Sequence, residues 1–522
     1  IVAPDEKRQV LDALSMGARK SLVPLEYTYP VLHKYILLFC FTVYFFLGLI
    51  FKIFINNSDF VFRFLIDPGN IFFIARLLSA VFGVAIIVPV YLMGKHFFSR
   101  NTGIIAVIFA SFMFQLITHS QWAVADILLT FFCTWAFYYI LRCLFFGTLK
   151  DFIIASFFIG LAVATKYQGI YLVVPYLAML LIKPGFLFFK KEESRKIYVS
   201  ILVIVIFAII GNLGLIFNFK ENIQRLLELR GEIMGISSLQ PFKHNFISVV
   251  IWFIKELIRQ EEFLGIILVG GILYSICKHT KIDLLFLVYL AFCLLTLVPF
   301  GFRFLHLLVY SFAIICVFGA RLTERLTEII FRYRYKLSNS LVVAFIIVLP
   351  SLYSAIQLDF KRLQPDTRLL AKTWLEKNIP LNSYIAEDLY DFSVPLQSEY
   401  PLLFQDEKLQ KYYLEFNSEI RQRYKDYAYS KGIYYLRQIR YETEQPIWPQ
   451  DMPAIAVSLA EKNPIIKRLY RWFNFYSIEE LKQMGVSYII LSSYTYNHFL
   501  LDSDKRKLTG LFNPHYKEDT LS

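Results

Sequence analysis

Residues 75–132 read ARLLSAVFGVAIIVPVYLMGKHFFSRNTGIIAVIFASFMFQLITHSQWAVADILLTFF. One apolar run ends at Lys95 and Arg100, a second fills 104–122, and a third occupies 127–141 after Asp126. Each is long enough, or nearly so, to cross about 30 Å of hydrocarbon. A basic turn is followed by a turn holding a lone carboxylate. Such alternation is what the positive-inside rule leaves in a chain that weaves through a membrane.

The same texture extends outward, from about residue 31 to 357. Hydrophobic residues make up 57% of the 522, and charged residues only 18%. Soluble domains carry about a quarter charged residues. The 52 Phe and 34 Tyr suit lipid-facing and interfacial positions. The net charge of +13 does not point to nucleic acid, because the basic residues gather in short loops between apolar runs. Cys40, Cys133, Cys143, Cys277, Cys293 and Cys316 all lie in apolar runs, and none forms a CxxC pair. Neither a disulfide frame nor a zinc site is signalled. No metal cluster of His and carboxylates is visible, so no cofactor is expected to be required; a divalent cation is allowed but not signalled.

Five basic loops, at 94–103, 142–151, 183–196, 278–283 and 321–340, should share one side of the membrane, so the crossings between them must come in pairs. The run 152–182 is roughly 46 Å long as a single helix. Parity requires it to break, and TKYQG, residues 165–169, is the place. Asp126, Lys166 and Arg303 then share the side opposite the basic loops. The run 341–357 exports the remainder of the chain. This gives about ten crossings. The side on which residues 1–30 lie depends on whether 31–55 crosses. Hydropathy favours crossing; His33, Lys34 and the interfacial Tyr27, Tyr29 and Tyr35 weigh against it. From about 358 the texture turns charged and amphipathic, with Leu370, Trp374 and Leu375 on one helical face. SIEELKQMGVSYIILSS, residues 477–493, reads as helix, glycine stop and strand. The expected fold is an α-helical polytopic membrane protein with a C-terminal soluble α/β domain.

Several stretches resemble the glycosyltransferase C superfamily. They are PDE at 4–6, YTYPVLHKYIL at 27–37, the stretch quoted above, GLAVATKYQGIYLVVP at 160–175, and DTRLLAKTWLEKNIPLNSYIAED at 366–388. The nearest branch is similar to dolichyl-phosphate-mannose–protein mannosyltransferases and aminoarabinose transferases (family 39-type). Order and spacing carry the likeness more than any strict motif.

The resemblance implies three regions. Residues 1–70 form a first extracytoplasmic loop with juxtamembrane or re-entrant helices, 71–357 the transmembrane glycosyltransferase domain, and 358–522 an extracytoplasmic α/β domain. It also implies a transmembrane helix before the acid pair, so the chain is expected to lack its first one. The implied reaction moves a hexose or pentose from a polyprenyl-phosphate-linked donor to an acceptor outside, in a bacterial inner or plasma membrane. The acceptor would be a protein, lipid A, or another glycolipid or polymer.

Such a reaction needs a base for the acceptor hydroxyl and cations for the departing phosphate. By match to the family's loop acid, Asp5 is the expected base; the plain alternative is a solvated loop acid. Glu6, in the same catalytic set, is expected to hold the backbone or the acceptor. Asp126 joins the catalytic set as an ionisable residue at a membrane edge; otherwise it caps the helix at 127–141. His119, Trp122 and Asp126 share a face if their helix is continuous. Lys166, Arg303 and Arg76 are expected to bind donor phosphate. Lys166 would otherwise snorkel, Arg303 anchor an interface, and Arg76 brace the first loop. His119 and Tyr29 are accessory candidates. Where the aminoarabinose branch has an acidic–basic pair before its prolines, this chain has Thr28-Tyr29, which argues against that donor. The rival classes are a transporter or lipid flippase, which would show paired repeats, and a non-catalytic scaffold.

Overall fold

The computed structural model describes residues 4–26, 29–183, 191–224, 227, 245–299, 304–332, 337–387, 396–401, 403, 407–438, 440–441, 474–475 and 478–490. The first region holds α1 (Pro4–Arg19), α2 (Leu32–Ile50) and α3 (Asn57–Ile66). The bundle begins with α4 (Gly69–Ala85), which runs into α5 (Ile87–Phe97), then α6 (Arg100–Phe112), α7 (Phe114–Ser120) and α8 (Ala125–Phe145). It continues with α9 (Leu149–Thr165), α10 (Val173–Ile182), α11 (Lys191–Ile210) and α12 (Leu213–Phe217). It closes with α13 (Phe246–Lys278), α14 (Lys281–Leu295), α15 (Val309–Ile330) and α16 (Leu337–Leu363).

Among the described residues, six helical segments are long and apolar enough to cross a membrane, or seven if the bent pair α6–α7 counts as one. The expected ten crossings are not reached on this measure. The helices α9, α10 and α14 are short, and α11 opens on the charged KEESRK. The expected break at TKYQG is present. Helix α9 stops at Thr165, Lys166 is extended, and a 3-10 turn (Tyr167–Leu172) leads into α10.

The best-buried spans, α8 and α15, each bury 78% of their apolar window and form the bundle's centre. Peripheral α16 turns a stripe of Val342, Phe345, Ile346, Leu349, Tyr353 and Ile356 outward, the i, i+3, i+4 pattern of a helix face meeting lipid. Helix α13 crosses α15 at Gly271 and Gly319, where a Cβ on Gly271 would lie 2.7 Å from the Gly319 nitrogen. Gly271→Leu is therefore expected to lower stability by about 1–3 kcal/mol or more, read as a lower melting temperature in detergent.

The described parts of the five basic loops meet at one end of the bundle. Arg321 donates to Asp283 at 2.6 Å and lies 4.6 Å from the Phe98 ring. Ser99, which caps α6, donates to Glu324. His96 bonds Tyr138 at 2.8 Å, close to Arg142, which pairs with Asp151 at 2.6 Å. Lys183 lies 5.1 Å from the Phe152 ring and 3.6 Å from Glu193.

Beyond α16 come α17 (Thr367–Asn378), β1 (Tyr384–Glu387), α18 (Glu407–Leu414), α19 (Ser418–Lys431), β2 (Tyr435–Gln438), β3 (Arg440–Tyr441), β4 (Asn474–Phe475), α20 (Ile478–Gln483) and β5 (Tyr488–Ile490). Strands β2, β1 and β5 form a parallel sheet in that order, with Ile385 opposite both Leu436 and Tyr488. Gly485, at φ +77°, separates α20 from β5, as the expected glycine stop requires. The expected apolar face of α17 is buried only at Leu375, which packs with Ile385; Leu370 and Trp374 are exposed.

Helices α1 to α3 pack on this C-terminal region. Tyr412 on α18 donates to Glu26 at 3.1 Å. On α19, Arg423 lies 4.0 Å from the ring of Phe62 in α3. Near its start, α2 joins α1 through Lys34 and the buried Asp12, 2.5 Å apart. Near its far end, Tyr44 and Phe45 pack on Phe60 of α3. Both ends of α2 therefore adjoin elements that touch the C-terminal helices. Apolar as it is, α2 turns Phe39, Phe46 and Ile50 outward.

Candidate active site

The site is built where α1, α4, α8 and the break after α9 converge, at the end opposite the basic loops. Asp5 and Glu6 occupy the first turn of α1, where the helix dipole favours negative charge. Their surroundings differ sharply. Glu6 is fully buried and takes both prongs of Arg76 at 2.9 Å, together with the Ala123 N–H at 2.8 Å. One carboxylate thus ties α1 to α4 and to the loop before α8, and Arg76 braces that first loop. Asp5 is exposed and has neither hydrogen bond nor ion pair among the described residues. It stands within electrostatic reach of Lys166, Tyr29 and His306.

Asp126 does not cap α8. The cap position is Val124, and Asp126 lies in the first turn with its side chain turned to Lys166. The break after α9 leaves Lys166 extended, at φ −156° and ψ 144°. This aims its ammonium inward, 2.8 Å from Asp126 Oδ1 and 5.3 Å from the Tyr29 ring. Both partners are largely buried, at 9% and 14% side-chain exposure. A charge pair so enclosed interacts more strongly than one in water. Burial pushes the Tyr29 hydroxyl up to about 12, with Lys166 opposing that rise, so Tyr29 stays a neutral donor.

The expected continuous helix through His119, Trp122 and Asp126 is not formed: α7 ends at Ser120 and α8 begins at Ala125. The residues gather nonetheless. The His119 ring lies 5.5 Å from Trp122 and 5.8 Å from His306. His119 Nδ1 and His33 Nε2 are buried without a hydrogen-bond partner among the described residues, and both rings feel the Asp126 charge. Arg303 lies outside the described residues. Of the expected set, Asp5, Glu6, Tyr29, Arg76, His119, Asp126 and Lys166 are brought to one end of the bundle.

Three residues here were not singled out from sequence as site residues. His33 and His306 each sit at the start of an apolar run, where an ionisable side chain is itself a signal. Arg362, in the last turn of α16, lies 5.9 Å from the Trp122 ring and donates to Gln121; no pattern in LDFKRL marks it. Among the described residues, no group of three or more His, Cys, Asp or Glu stands where it could hold a metal.

Residues 40–213 match a family model described as dolichyl-phosphate-mannose-protein mannosyltransferase. That stretch contains Arg76, Asp126 and Lys166 but neither Asp5 nor Arg303. No curated protein matches. Among solved structures, ArnT from Cupriavidus metallidurans bound to undecaprenyl phosphate is similar with a TM-score of 0.53 at 11% identity, over 79% of this chain and 84% of that one. Apo ArnT from the same organism gives 0.44 at 13% identity, over 64% of this chain and 57% of that one, so this chain spans little more than half its length. The apo Archaeoglobus fulgidus oligosaccharyltransferase gives 0.47 at 15%, over 75% and 59%. At these identities the likeness to ArnT is one of fold. The mannosyltransferase match covers residues 40–213, and the likeness in fold to ArnT extends over most of the chain.

Proposed function

We propose that the chain is an integral membrane glycosyltransferase that moves a sugar from a polyprenyl-phosphate-linked donor to an acceptor hydroxyl or amide on the extracytoplasmic side. The observation that carries this reading is the enclosed Lys166–Asp126 pair with an uncommitted carboxylate, Asp5, in electrostatic reach of it. Asp5 takes the acceptor's proton as the acceptor attacks the anomeric carbon. The bond from that carbon to the phosphate oxygen breaks, and polyprenyl phosphate leaves with the electron pair. Lys166 meets the charge that develops on the phosphate, and Asp126 holds the ammonium in place. Arg303 is assigned to the same phosphate by resemblance. Glu6 and Arg76 position the loop that carries Asp5. The first two regions serve this chemistry, and the C-terminal α/β region serves the acceptor. The reading rests further on the mannosyltransferase match and on the ArnT-like fold. No resident cofactor enters the scheme.

The purified full chain in nanodiscs is expected to bind undecaprenyl phosphate, measured by native mass spectrometry. The charge-balanced double variant Asp126→Asn/Lys166→Met should weaken that binding at least about tenfold, as loss of a charge-assisted contact does. Equal binding by the double variant would sink the phosphate role of Lys166. No binding by the wild-type chain would sink the donor class.

A further inference from the structure

Two helices break inside the bundle, and the breaks face each other. The pass that begins with α6 bends by 58° between Phe112 and Phe114. Met113 leaves the helix at φ −68° and ψ 118°, so α7 starts afresh with donors that have no carbonyl behind them. The second break is in α13, where Glu262 stands at φ +53° and ψ −122°. A non-glycine residue in that region is strained and persists only where its surroundings hold it.

Glu261, next to the second break, answers the first. It is fully buried, and its two oxygens accept the N–H groups of Phe114 and Gln115, each at 2.9 Å. Gln115 adds a side-chain bond to Gln260. The same joint is pinned to α16: Ser351 donates to the Glu261 carbonyl at 2.7 Å, and Ser354 to the Glu262 carboxylate at 2.9 Å. A buried carboxylate in a membrane bundle is costly unless its charge is used; here it satisfies two donors at membrane depth that would otherwise be orphaned.

What the joint holds is the short helix that leads into the site. From Phe114, α7 runs seven residues to Ser120, carrying His119 on its last turn. Trp122 and the Ala123 N–H that binds Glu6 follow directly. The helix α16 that receives Ser351 and Ser354 also carries Arg362 onto Trp122. The helix that leads into the 118–126 segment is therefore held at its start by one carboxylate far from it along the chain, and α16, pinned at the same joint, reaches Trp122 within the segment.

We propose that Glu261 is a positioning residue: it sets the direction of α7 and thereby the placement of His119, Trp122 and Asp126. The consequence for undecaprenyl phosphate binding rests on the proposed function; the placement itself does not. The test is hydrogen–deuterium exchange by mass spectrometry on the full chain in nanodiscs, with undecaprenyl phosphate binding measured in parallel. Glu261→Leu should speed exchange in peptides covering 114–126 by roughly tenfold or more, as loss of two buried acceptors implies. The parallel sheet and the basic-loop end should exchange as in wild type. Glu261→Gln keeps one acceptor oxygen and should fall between the two; it also serves if the leucine variant does not fold. Unchanged exchange over 114–126, or a rise spread evenly over the bundle, would overturn the proposal whatever the binding result. Localised exchange in a protein whose wild type ignores undecaprenyl phosphate would uphold the positioning role and remove only the functional reading.

Discussion

Asp5→Asn is expected to cut sugar transfer by about 10²–10⁴-fold, the usual contribution of a general base, while leaving the fold intact. The structure separates those two effects. Asp5 is exposed and makes no hydrogen bond or ion pair among the described residues, so its amide leaves nothing buried and unsatisfied. Its neighbour Glu6 cannot be treated the same way, because it is fully buried and holds Arg76 and the Ala123 N–H. Melting temperature and undecaprenyl phosphate binding of Asp5→Asn should stay near wild type while turnover collapses. Transfer at the wild-type rate would remove Asp5 from the base role. A fall in binding that matches the fall in turnover would move Asp5 from the chemistry to donor recognition.

Lys166→Met is the second large effect, and it should show in stability as well as in function. The substitution strands Asp126 as a carboxylate only 14% exposed. Removing one partner of a buried pair costs about 3–5 kcal/mol, because the remaining charge is left uncompensated. Removing both charges should recover most of that. The double variant with Asp126→Asn is therefore expected to melt well above Lys166→Met alone, yet to keep its weakened hold on a lipid phosphate. A double-mutant cycle on melting temperature and on undecaprenyl phosphate binding separates the two contributions. If Lys166→Met melts as the wild type does, the pair is not enclosed in the way described.

The sequence made much of this legible, and the reasons are physical. Hydropathy runs and basic turns are local, so the break at Lys166 and the gathering of the basic loops could be read from spacing alone. Asp126 stood out because charge is rare at a membrane segment's edge, Lys166 because parity required a break there, and Arg76 through the family resemblance. What spacing could not supply was direction. The i, i+3, i+7 pattern of His119, Trp122 and Asp126 presumed a continuous helix, whereas one helix ends at Ser120, the next begins at Ala125, and the Ala123 N–H between them is held by Glu6, distant in sequence. The choice for Arg76 between phosphate ligand and brace likewise turned on Glu6, 70 residues away. Helix α2 has the hydropathy of a crossing helix; its contacts with α1 and α3 could not be read from spacing. Arg362 could not be seen at all, since its partner Trp122 belongs to another pass.

The bond between Tyr412 and Glu26 spans 386 residues, and it fixes an order of biogenesis. The helix that carries Asp5 emerges from the ribosome long before α18 and α19, on which its region packs. Until then, this acid-bearing region has only the seat that Lys34, Arg76 and the Ala123 N–H provide. A polypeptide released early from translation would therefore lack the contacts that α18 and α19 give to the first region.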